Sequence, residues 1–156
     1  MREIVVHRAS SNDVGELVDL MQAFYAESSY PLERKWATSS FTHLLSRPDL
    51  GCVWLARVNT RAVGHAVLSV RYTMEHAALG GYVDDLYVAP EFRRQQVASR
   101  LLRALVEEGR RRGCASLYVE VGASNTAAIA TYRRFGLSPV ADGRLLMSGS
   151  LRASDT

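Results

Sequence analysis

The chain contains 156 residues, of which 47% are hydrophobic and 22% are charged, and its formal net charge is +3. This length suits one domain, residues 1–156, which can bury roughly two-thirds of its unfolded surface without a disulfide or a structural metal. No apolar run approaches the ~20 residues that span a bilayer, and the N-terminus lacks the pattern of a signal peptide. These features predict a cytoplasmic protein that does not attach to membranes.

Cysteine and histidine usage gives no sign of a metal site. Cys52 and Cys114 are too few and too far apart for a CxxC motif or a disulfide framework, and the four histidines lack paired ligand spacing. Every cationic residue except Lys35 is an arginine, and arginines are frequent between residues 93 and 134, where their field would attract a polyphosphate. Nucleic acid is not expected as a partner, because there is no basic recognition helix or aromatic ribonucleoprotein motif.

Hydrophobic periodicity and turn residues divide the chain into strands and helices. The predicted strands are 4–8, 52–58, 62–72, 82–88 and 116–121, and two further strands are expected in the tail, 137–151. The predicted helices run from an N-cap at Ser10 to about Tyr25, and over 32–45, 97–112 and 124–136.

This order of elements predicts one mixed sheet covered by helices, a three-layer domain of the α/β or α+β class. We expect about six to seven strands, mostly antiparallel, and about four flanking helices. The strand–helix–strand unit from Tyr82 to Val121 should be a parallel, right-handed crossover.

The loop after Val88 has features of an anion site. Arg93 and Arg94 precede a predicted helix whose first amides and dipole favour phosphate, and Ala98 is small enough for a close approach. However, Gln96 occupies the position where such a loop most needs glycine. From the residues alone, an anion site and an exposed basic turn both remain open.

Asn125 and Tyr132 are seven residues apart on the last predicted helix. They therefore project from nearly the same face, about 10 Å apart along the helix axis. An amide and a phenol in this arrangement could both face a ligand that lies along the helix. The alternative is structural, with Asn125 as a helix cap and Tyr132 as part of the core.

The pair Asp84-Asp85 interrupts an apolar strand. Strand alternation predicts that the two side chains point to opposite faces of the sheet. A carboxylate within a central strand needs a partner, because desolvation of an unpaired charge is costly. Pairing with an arginine is one interpretation, and a general base or a binder of a cationic substrate is the other.

The stretches VDDLYVAPEFRRQQVASRLLRAL and SLYVEVGASNTAAIATYRRFGL together resemble the GNAT superfamily of acetyl-CoA-dependent N-acetyltransferases. The resemblance covers almost the whole chain and is strongest over residues 84–137. The family's phosphate loop, (Gln/Arg)-x-x-Gly-x-(Gly/Ala), corresponds to Arg93, Gln96 and Ala98. Its second motif, Asn followed seven residues later by Tyr and then by Gly-Phe, corresponds to Asn125, Tyr132 and Gly136-Leu137.

The resemblance implies a GNAT-type domain, acetyl-CoA as co-substrate, and a role for each matching residue. Backbone amides from Arg94 to Ser99 would bind the pyrophosphate, and the backbone of Leu86 to Val88 would pair with pantetheine and polarise the acetyl carbonyl. Asn125 would hydrogen-bond the cofactor, and Tyr132 would protonate the departing thiolate. The implied cofactor-binding residues are Leu86, Tyr87, Val88, Arg93, Arg94, Gln95, Gln96, Val97, Ala98, Ser99, Asn125 and Tyr132.

The catalytic residues implied are Tyr132 and Asp84. Asp84 stands where diamine acetyltransferases and their relatives carry a glutamate that is proposed to help deprotonate the amine. The shorter aspartate places its carboxylate further from an incoming amine. Gln96 is the other departure from the family pattern, and we expect it to keep a negative φ, as residues at a helix N-terminus normally do, so that the loop still binds phosphate.

The acceptor is expected to be a small cationic amine, bound between the loop after the first helix and the last strands, where acidic and aromatic groups would suit it. The candidate substrate-binding residues are Tyr25, Glu27, Tyr30, Asp84 and Asp85. Packing of the tyrosines against the helix ends is the alternative. Acetylation of a protein N-terminus or of an aminoglycoside, and a catalytically silent CoA-binding module, are the other functions considered. Homodimers are common in the family.

Overall fold

The computed structural model describes residues 3–140, 143 and 145–152. Within these residues the strands are β1 (Ile4–Arg8), β2 (Gly51–Val58), β3 (Arg61–Thr73), β4 (Ala78–Val88) and β5 (Ser116–Val119). The α-helices are α1 (Val14–Glu27), α2 (Arg34–Ser46), α3 (Val97–Arg111) and α4 (Thr126–Arg134). Short 3-10 turns precede α1 and α3. Apart from the tail, the elements are those that the sequence predicts.

Local sequence explains where the helices begin and end. The backbone amide of Ser10 donates to the carboxylate of Asp13 at 2.8 Å, which satisfies an otherwise free donor at the start of the 3-10 turn Ser11–Asp13 that leads into α1. α3 ends one residue before Arg112 and is followed by Gly113 at φ +77°, a conformation that glycine adopts without steric strain. Gly113 is confirmed as the residue that follows α3, whereas Ser10 caps the 3-10 turn Ser11–Asp13 and the N-cap of α1 itself is Asp13.

The sheet has the strand order β1-β2-β3-β4-β5. The first three pairings are antiparallel, and β4 pairs with β5 in parallel. A mixed, mostly antiparallel sheet is therefore confirmed, as is the parallel pairing across the strand–helix–strand unit that contains α3. No helix in the described part of the chain is long and apolar enough to cross a bilayer.

Helices cover both faces of the sheet. On one face lies a core cluster that includes the fully buried residues of α3, Leu101, Leu102 and Leu105, together with Tyr132 of α4. On the other face lies a cluster that includes the buried residues of α1 and α2, among them Leu17, Val18, Ala37 and Phe41. We call the first the α3 face and the second the α1/α2 face. The predicted three-layer arrangement is confirmed.

The predicted number of strands is wrong, since the described residues after Leu137 form no strand and the sheet has five. Residues 141, 142 and 144 of this tail lie outside the described residues. Pro139 cannot donate to a strand ladder, and Leu145, Leu146 and Met147 are consecutive apolar residues without alternation. All three of those side chains are more than three-quarters exposed.

A β-bulge at Asp84 interrupts the pairing of β3 with β4. Val67 pairs with Asp85 and Leu68 pairs with Val83, so Asp84 has no partner on β3. An extra residue in one strand cancels the alternation of faces at that point. Val83 and Leu86 consequently both pack on the α3 face, three positions apart.

Candidate active site

The edge of β4 from Asp84 to Val88 has no strand partner on the β5 side in the described residues. β5 pairs with β4 only from Gly80 to Val83, so the two strands separate at the bulge. Free N–H and C=O groups along a strand edge can bind an extended ligand as an added strand. The backbone predicted to hold pantetheine, Leu86 to Val88, lies on this edge.

The loop between β4 and α3 contains two residues in the left-handed region. Arg94 has φ +60°, and Gln96, the N-cap of α3, has φ +66° and ψ +9°. The expected negative φ of Gln96 is therefore wrong, because the chain must reverse sharply before α3. A left-handed conformation costs a non-glycine residue about 1–3 kcal/mol, so Gln96 keeps a glycine-like backbone at some cost in stability.

The same loop presents a row of free backbone amides. None of the amides from Arg94 to Ser99 has a hydrogen-bond acceptor among the described residues. Positive φ at Arg94 and Gln96 with a non-positive φ at Gln95 between them turns successive N–H groups toward one concave surface, which favours an anion. The dipole of α3 adds positive potential there. The expected anion site therefore has the geometry it needs.

Arg93 ties this loop to its surroundings. Its Nε donates to the carbonyl of Val88 at 2.8 Å, and a terminal nitrogen lies 2.6 Å from the carboxylate of Glu27 on α1. Its guanidinium carbon also lies 5.7 Å from the centre of the Tyr87 ring. Arg93 thus holds the loop against β4 and α1. Arg94, by contrast, makes no ion pair with the described residues.

Asn125 and Tyr132 lie on α4, as predicted. The Oδ1 atom of Asn125 accepts a hydrogen bond from the amide of Ala128 at 3.2 Å, so the residue caps the helix, and its Nδ2 group makes no hydrogen bond with the described residues. Tyr132 is buried, and this burial raises the pKa of its phenol to about 12. The phenol is therefore protonated at neutral pH and can act as a donor.

The two carboxylates at the bulge do not lie on opposite faces of the sheet, which corrects the expectation from simple alternation. Both raise the pKa of Tyr25 on α1, after the larger effect of burial, with Asp85 acting more strongly than Asp84. Neither carboxylate pairs with an arginine of the described chain; Asp85 instead lies 3.6 Å from His65. Asp85 therefore lies on the α1/α2 face with His65, and the bulge cancels the alternation that would place Asp84 on the opposite face.

Asp84 is the more accessible of the two carboxylates. Its side chain keeps contact with solvent, yet neighbouring protein atoms displace part of its water. This desolvation raises the pKa of Asp84, and the charge of Asp85 adds to the effect. A carboxylate with a raised pKa is a stronger base than an ordinary aspartate.

An aromatic group borders the carboxylates where α1 ends. The ring centres of Phe24 and Tyr87 are 5.4 Å apart, and those of Tyr25 and Tyr30 are 6.3 Å apart. Tyr30 is 67% exposed, so its ring is available to a ligand. Glu27 is close to this group, but its carboxylate is already paired with Arg93.

The predicted residues therefore fall on two sides of β4. Tyr132 and Leu86 belong to the α3 face, whereas Asp85 and Tyr25 belong to the α1/α2 face. The free edge of β4 lies between these two groups of residues.

Among the buried polar residues that were missed in the sequence, His65 is the one beside the candidate site. His65 lies in β3 at 0% exposure, directly opposite Tyr87 of β4. Val67, two positions further along β3, is apolar and packs on the α1/α2 face, and this alternation is the signal that could have indicated a buried His65.

Comparison with known proteins identifies the family. A model described as the acetyltransferase (GNAT) family matches residues 16–137. The chain belongs to this family. The predictions of a GNAT fold, of an acyltransferase and of acetyl-CoA as its co-substrate are confirmed at the level of the family.

Individual relatives cover the chain to different extents. The chain is 39% identical over 69 residues to the [ribosomal protein bS18]-alanine N-acetyltransferase of Escherichia coli (strain K12), an alignment that covers 38% of this chain and 47% of that enzyme. It thus spans about half the length of that curated relative.

Among solved structures, an integron cassette protein from the mobile metagenome of Cole Harbour Salt Marsh has a TM-score of 0.85 and 33% identity, over 96% of this chain and 91% of that chain. The aminoglycoside N-acetyltransferase AAC(6')-Iy, solved in complex with CoA, has a TM-score of 0.83 at 15% identity, over 97% of both chains, which shows a shared fold.

Proposed function

We propose that the protein transfers the acetyl group of acetyl-CoA to a primary amine by direct attack within a ternary complex. The observation that carries this proposal is the adjacency of two backbone surfaces, the free amides from Arg94 to Ser99 and the uncovered β4 edge from Asp84 to Val88. The first suits a pyrophosphate and the second suits an extended chain with amide groups, such as pantetheine.

Acetyl-CoA, when bound, supplies a thioester that an amine can attack. The loop amides would hold its pyrophosphate, with Arg93 keeping the loop in place and Arg94 adding charge. The backbone of Leu86, Tyr87 and Val88 would align the pantetheine arm and donate to the acetyl carbonyl as negative charge develops on its oxygen. The free Nδ2 group of Asn125 would donate to the same arm.

Tyr132 would act on the departing sulfur. Its phenol, with a pKa of about 12, keeps its proton at neutral pH and can donate it, or a hydrogen bond, as the thiolate forms. A free thiol has a pKa near 8.5, so the thiolate can leave without a donor, but a donor that stabilises its developing charge makes departure faster.

Asp84 would act on the amine. An alkyl ammonium has a pKa near 10 and lacks a free lone pair, so it must lose a proton before it attacks. The accessible carboxylate of Asp84, with its raised pKa, would accept that proton directly or through water. Asp84 and Tyr132 would then act on different groups, Asp84 on the attacking amine and Tyr132 on the departing sulfur.

The acceptor would be a small cationic amine. Asp84 and Asp85 supply negative charge, and Tyr25 and Tyr30 supply ring faces that attract a cation. Glu27 would contribute less charge, because it already pairs with Arg93. Its role would be to hold the phosphate loop beside the acceptor site.

A second candidate acceptor is the α-amino group of a protein N-terminus. Two relatives favour it: the bS18-alanine enzyme, and N-alpha-acetyltransferase 30 of Schizosaccharomyces pombe, to which the chain is 29% identical over 120 residues. An exposed Tyr30 and an open loop after α1 would leave room for a peptide.

The test begins with calorimetric titration of the purified protein with acetyl-CoA and with 3′-dephospho-CoA. One-site saturable binding is expected, and weaker binding of the dephospho form would assign a role to the exposed arginines. No heat, together with no competition by CoA, would overturn the proposal. Turnover is then measured by thiol release with a panel of polyamines, aminoglycosides and peptides that begin with alanine.

A panel without turnover but with intact acetyl-CoA binding would instead identify a catalytically silent CoA-binding module.

We further propose a cytoplasmic protein of one domain that forms a homodimer. Exposed Leu145, Leu146 and Met147 support the dimer, because adjacent apolar side chains favour burial against another surface. Sedimentation velocity at two concentrations tests it, and a monomer at both would reject it.

A further inference from the structure

His65 is a buried imidazole without a hydrogen-bond partner. Neither of its ring nitrogens has a partner among the residues that the structure describes, although the side chain is completely buried. Buried polar side chains in native proteins are nearly always hydrogen-bonded, and an exception calls for a functional or structural explanation. The position of His65 beside the bulge provides a functional one.

The nearest charged group to His65 is the carboxylate of Asp85. The Nε2 atom lies 3.6 Å from Oδ2, slightly beyond hydrogen-bond length, and the Asp85 side chain is 16% exposed. Asp85 therefore reaches the imidazole on one side and solvent on the other. Catalytic hydrogen bonds are often long without substrate and shorten when it binds.

Apolar and aromatic residues complete the surroundings of His65. Phe41 of α2 meets its ring edge to face at 5.9 Å, Tyr87 of β4 lies 6.2 Å away, and Leu55 of β2 pairs with it across the sheet. The ionisable groups close to this region are Asp84 and Asp85 at the bulge, Tyr87, and Tyr25 and Glu27 of α1. Of these, Asp85 forms the short contact with the imidazole.

We propose that Asp85 and His65 form a proton-accepting pair that works beside Asp84, with His65 as a positioning residue that acts through Asp85. This inference rests on the proposed acetyl transfer. The Asp85 carboxylate would take the proton that the ammonium has given to Asp84 and pass that same proton to Nε2 of His65, so both carboxylates return to their ionised form. The amine keeps its lone pair and attacks the thioester, and His65 returns its proton to solvent through Asp85 after release of the product.

The burial of His65 gives this proposal a specific signature. A completely buried imidazole cannot touch the amine, so its loss should lower kcat at saturating amine and leave the KM for the amine nearly unchanged. A merely structural histidine would instead change thermal stability, or would change KM through a distorted pocket. The split between kcat and KM therefore separates the two roles.

The experiment compares His65→Gln, Asp85→Asn and the double variant with the wild type. Glutamine retains hydrogen-bonding groups but does not accept a proton at neutral pH. We expect each single variant to lower kcat about tenfold or more, a usual size for proton-transfer groups, and the double variant to be no slower than the slower single one. Phe41→Leu is the matched control, since it loosens the same layer without removing a titrating group, and its kcat should stay close to wild type.

Two results would overturn the proposal. One is a multiplicative loss in the double variant, which would show that the two residues act separately. The other is a loss in His65→Gln that is confined to KM or is matched by Phe41→Leu. Titration with acetyl-CoA for each variant verifies that the cofactor site is intact.

A readout that does not need turnover distinguishes failure of the pair from failure of the proposed function. Imidazole nitrogen resonances are recorded by NMR at neutral pH, and the His65 signals are assigned by their loss in His65→Gln. We expect Asp85→Asn to change the Nε2 resonance of His65, because it replaces the carboxylate that lies 3.6 Å from that nitrogen. An unchanged resonance would overturn the pair, whereas a changed resonance in a protein that acetylates no amine would reject only the proposed function.

Discussion

The two halves of the candidate active site are built from different parts of the chain. The half assigned to the cofactor consists mainly of backbone groups, the amides from Arg94 to Ser99 and the free edge of β4. The half assigned to the acceptor consists of side chains, among them Asp84, Asp85 and Tyr25, held at a β-bulge and at the end of α1.

This difference explains how each half responds to sequence change. A backbone site depends on φ and ψ, so Gln96 can replace glycine and still leave the loop in the left-handed conformation that exposes its amides. A side-chain site depends on residue identity, so each substitution there alters charge or reach. The cofactor half can accordingly be recognised across a family, while the acceptor half differs with the substrate.

The largest expected effect is in Tyr132→Phe, which removes one hydroxyl next to the backbone-built half. We expect kcat to fall about 100-fold or more, because the departing thiolate loses its proton donor, while acetyl-CoA affinity stays within about twofold. Thiol-release kinetics and calorimetry measure the two quantities. A comparable loss of affinity would mean that Tyr132 helps to build the cofactor site and would blur the division between halves.

The next largest effect is expected for Ser99→Asp, a substitution that tests the backbone-built half directly. A carboxylate in the first turn of α3 should stabilise the helix by about 0.3–1 kcal/mol through the dipole. The same charge should repel a pyrophosphate at the free amides and weaken acetyl-CoA binding about tenfold or more. Thermal unfolding and calorimetry should therefore move in opposite directions.

Ser99→Asn is the matched control for this variant, since asparagine has nearly the same shape without the charge. Its affinity for acetyl-CoA should stay close to wild type. If the aspartate variant binds acetyl-CoA as tightly as the asparagine variant, the phosphate groups do not lie at the start of α3.

The contrast between the cofactor half and the acceptor half also determines which features could be predicted from the sequence. Periodicity located the five strands and the helices, and two spaced motifs located the loop, Asn125 and Tyr132. The bulge at Asp84 could not be predicted, because it depends on the pairing of β3 with β4 rather than on any local signal. The burial of His65 had a local signal, but its nearness to Asp85 had none, since that contact exists only once the hairpin has formed.

Another wrong prediction concerned the φ angle of Gln96. The expectation of a negative φ at Gln96 followed from its place at a helix start, but N-cap residues lie outside the helical conformation, and this one closes a sharp reversal after Arg94. The prediction of two strands in the tail was wrong for a different reason, because weak alternation alone does not form a strand when no sheet edge is available to pair with it.

A smaller effect is expected for Gln96→Gly, which tests whether the loop geometry is strained. Glycine adopts positive φ without steric cost, so the free energy of unfolding should rise by about 0.5–1 kcal/mol, with acetyl-CoA affinity retained or improved. Gln95→Gly is the control: Gln95 is not in the left-handed region, and its side chain donates to the carbonyl of Glu91 at 3.0 Å. That variant should lose stability, as measured by urea denaturation. Destabilisation by glycine at both positions would contradict the hypothesis that the backbone of Gln96 is strained.

The smallest effect concerns stability in the side-chain half, where Asp84→Asn is compared with wild type across pH. Desolvation by neighbouring protein atoms raises the pKa of Asp84 above the ordinary 3.8, so the carboxyl group keeps its proton to a higher pH in the folded protein than in the unfolded chain. Ionisation therefore costs the folded state more than the unfolded state, and the wild type loses stability as pH rises through that window. Asparagine removes the cost, so the variant should be slightly more stable at pH 7 and equal to wild type below pH 3.8.

Melting temperatures of both proteins, measured at pH 7 and below pH 3.8, provide the test. A difference that does not change with pH would place its origin in packing rather than in charge. A gain in stability together with a loss of turnover would show that the acceptor half keeps a partly desolvated carboxylate for its chemistry.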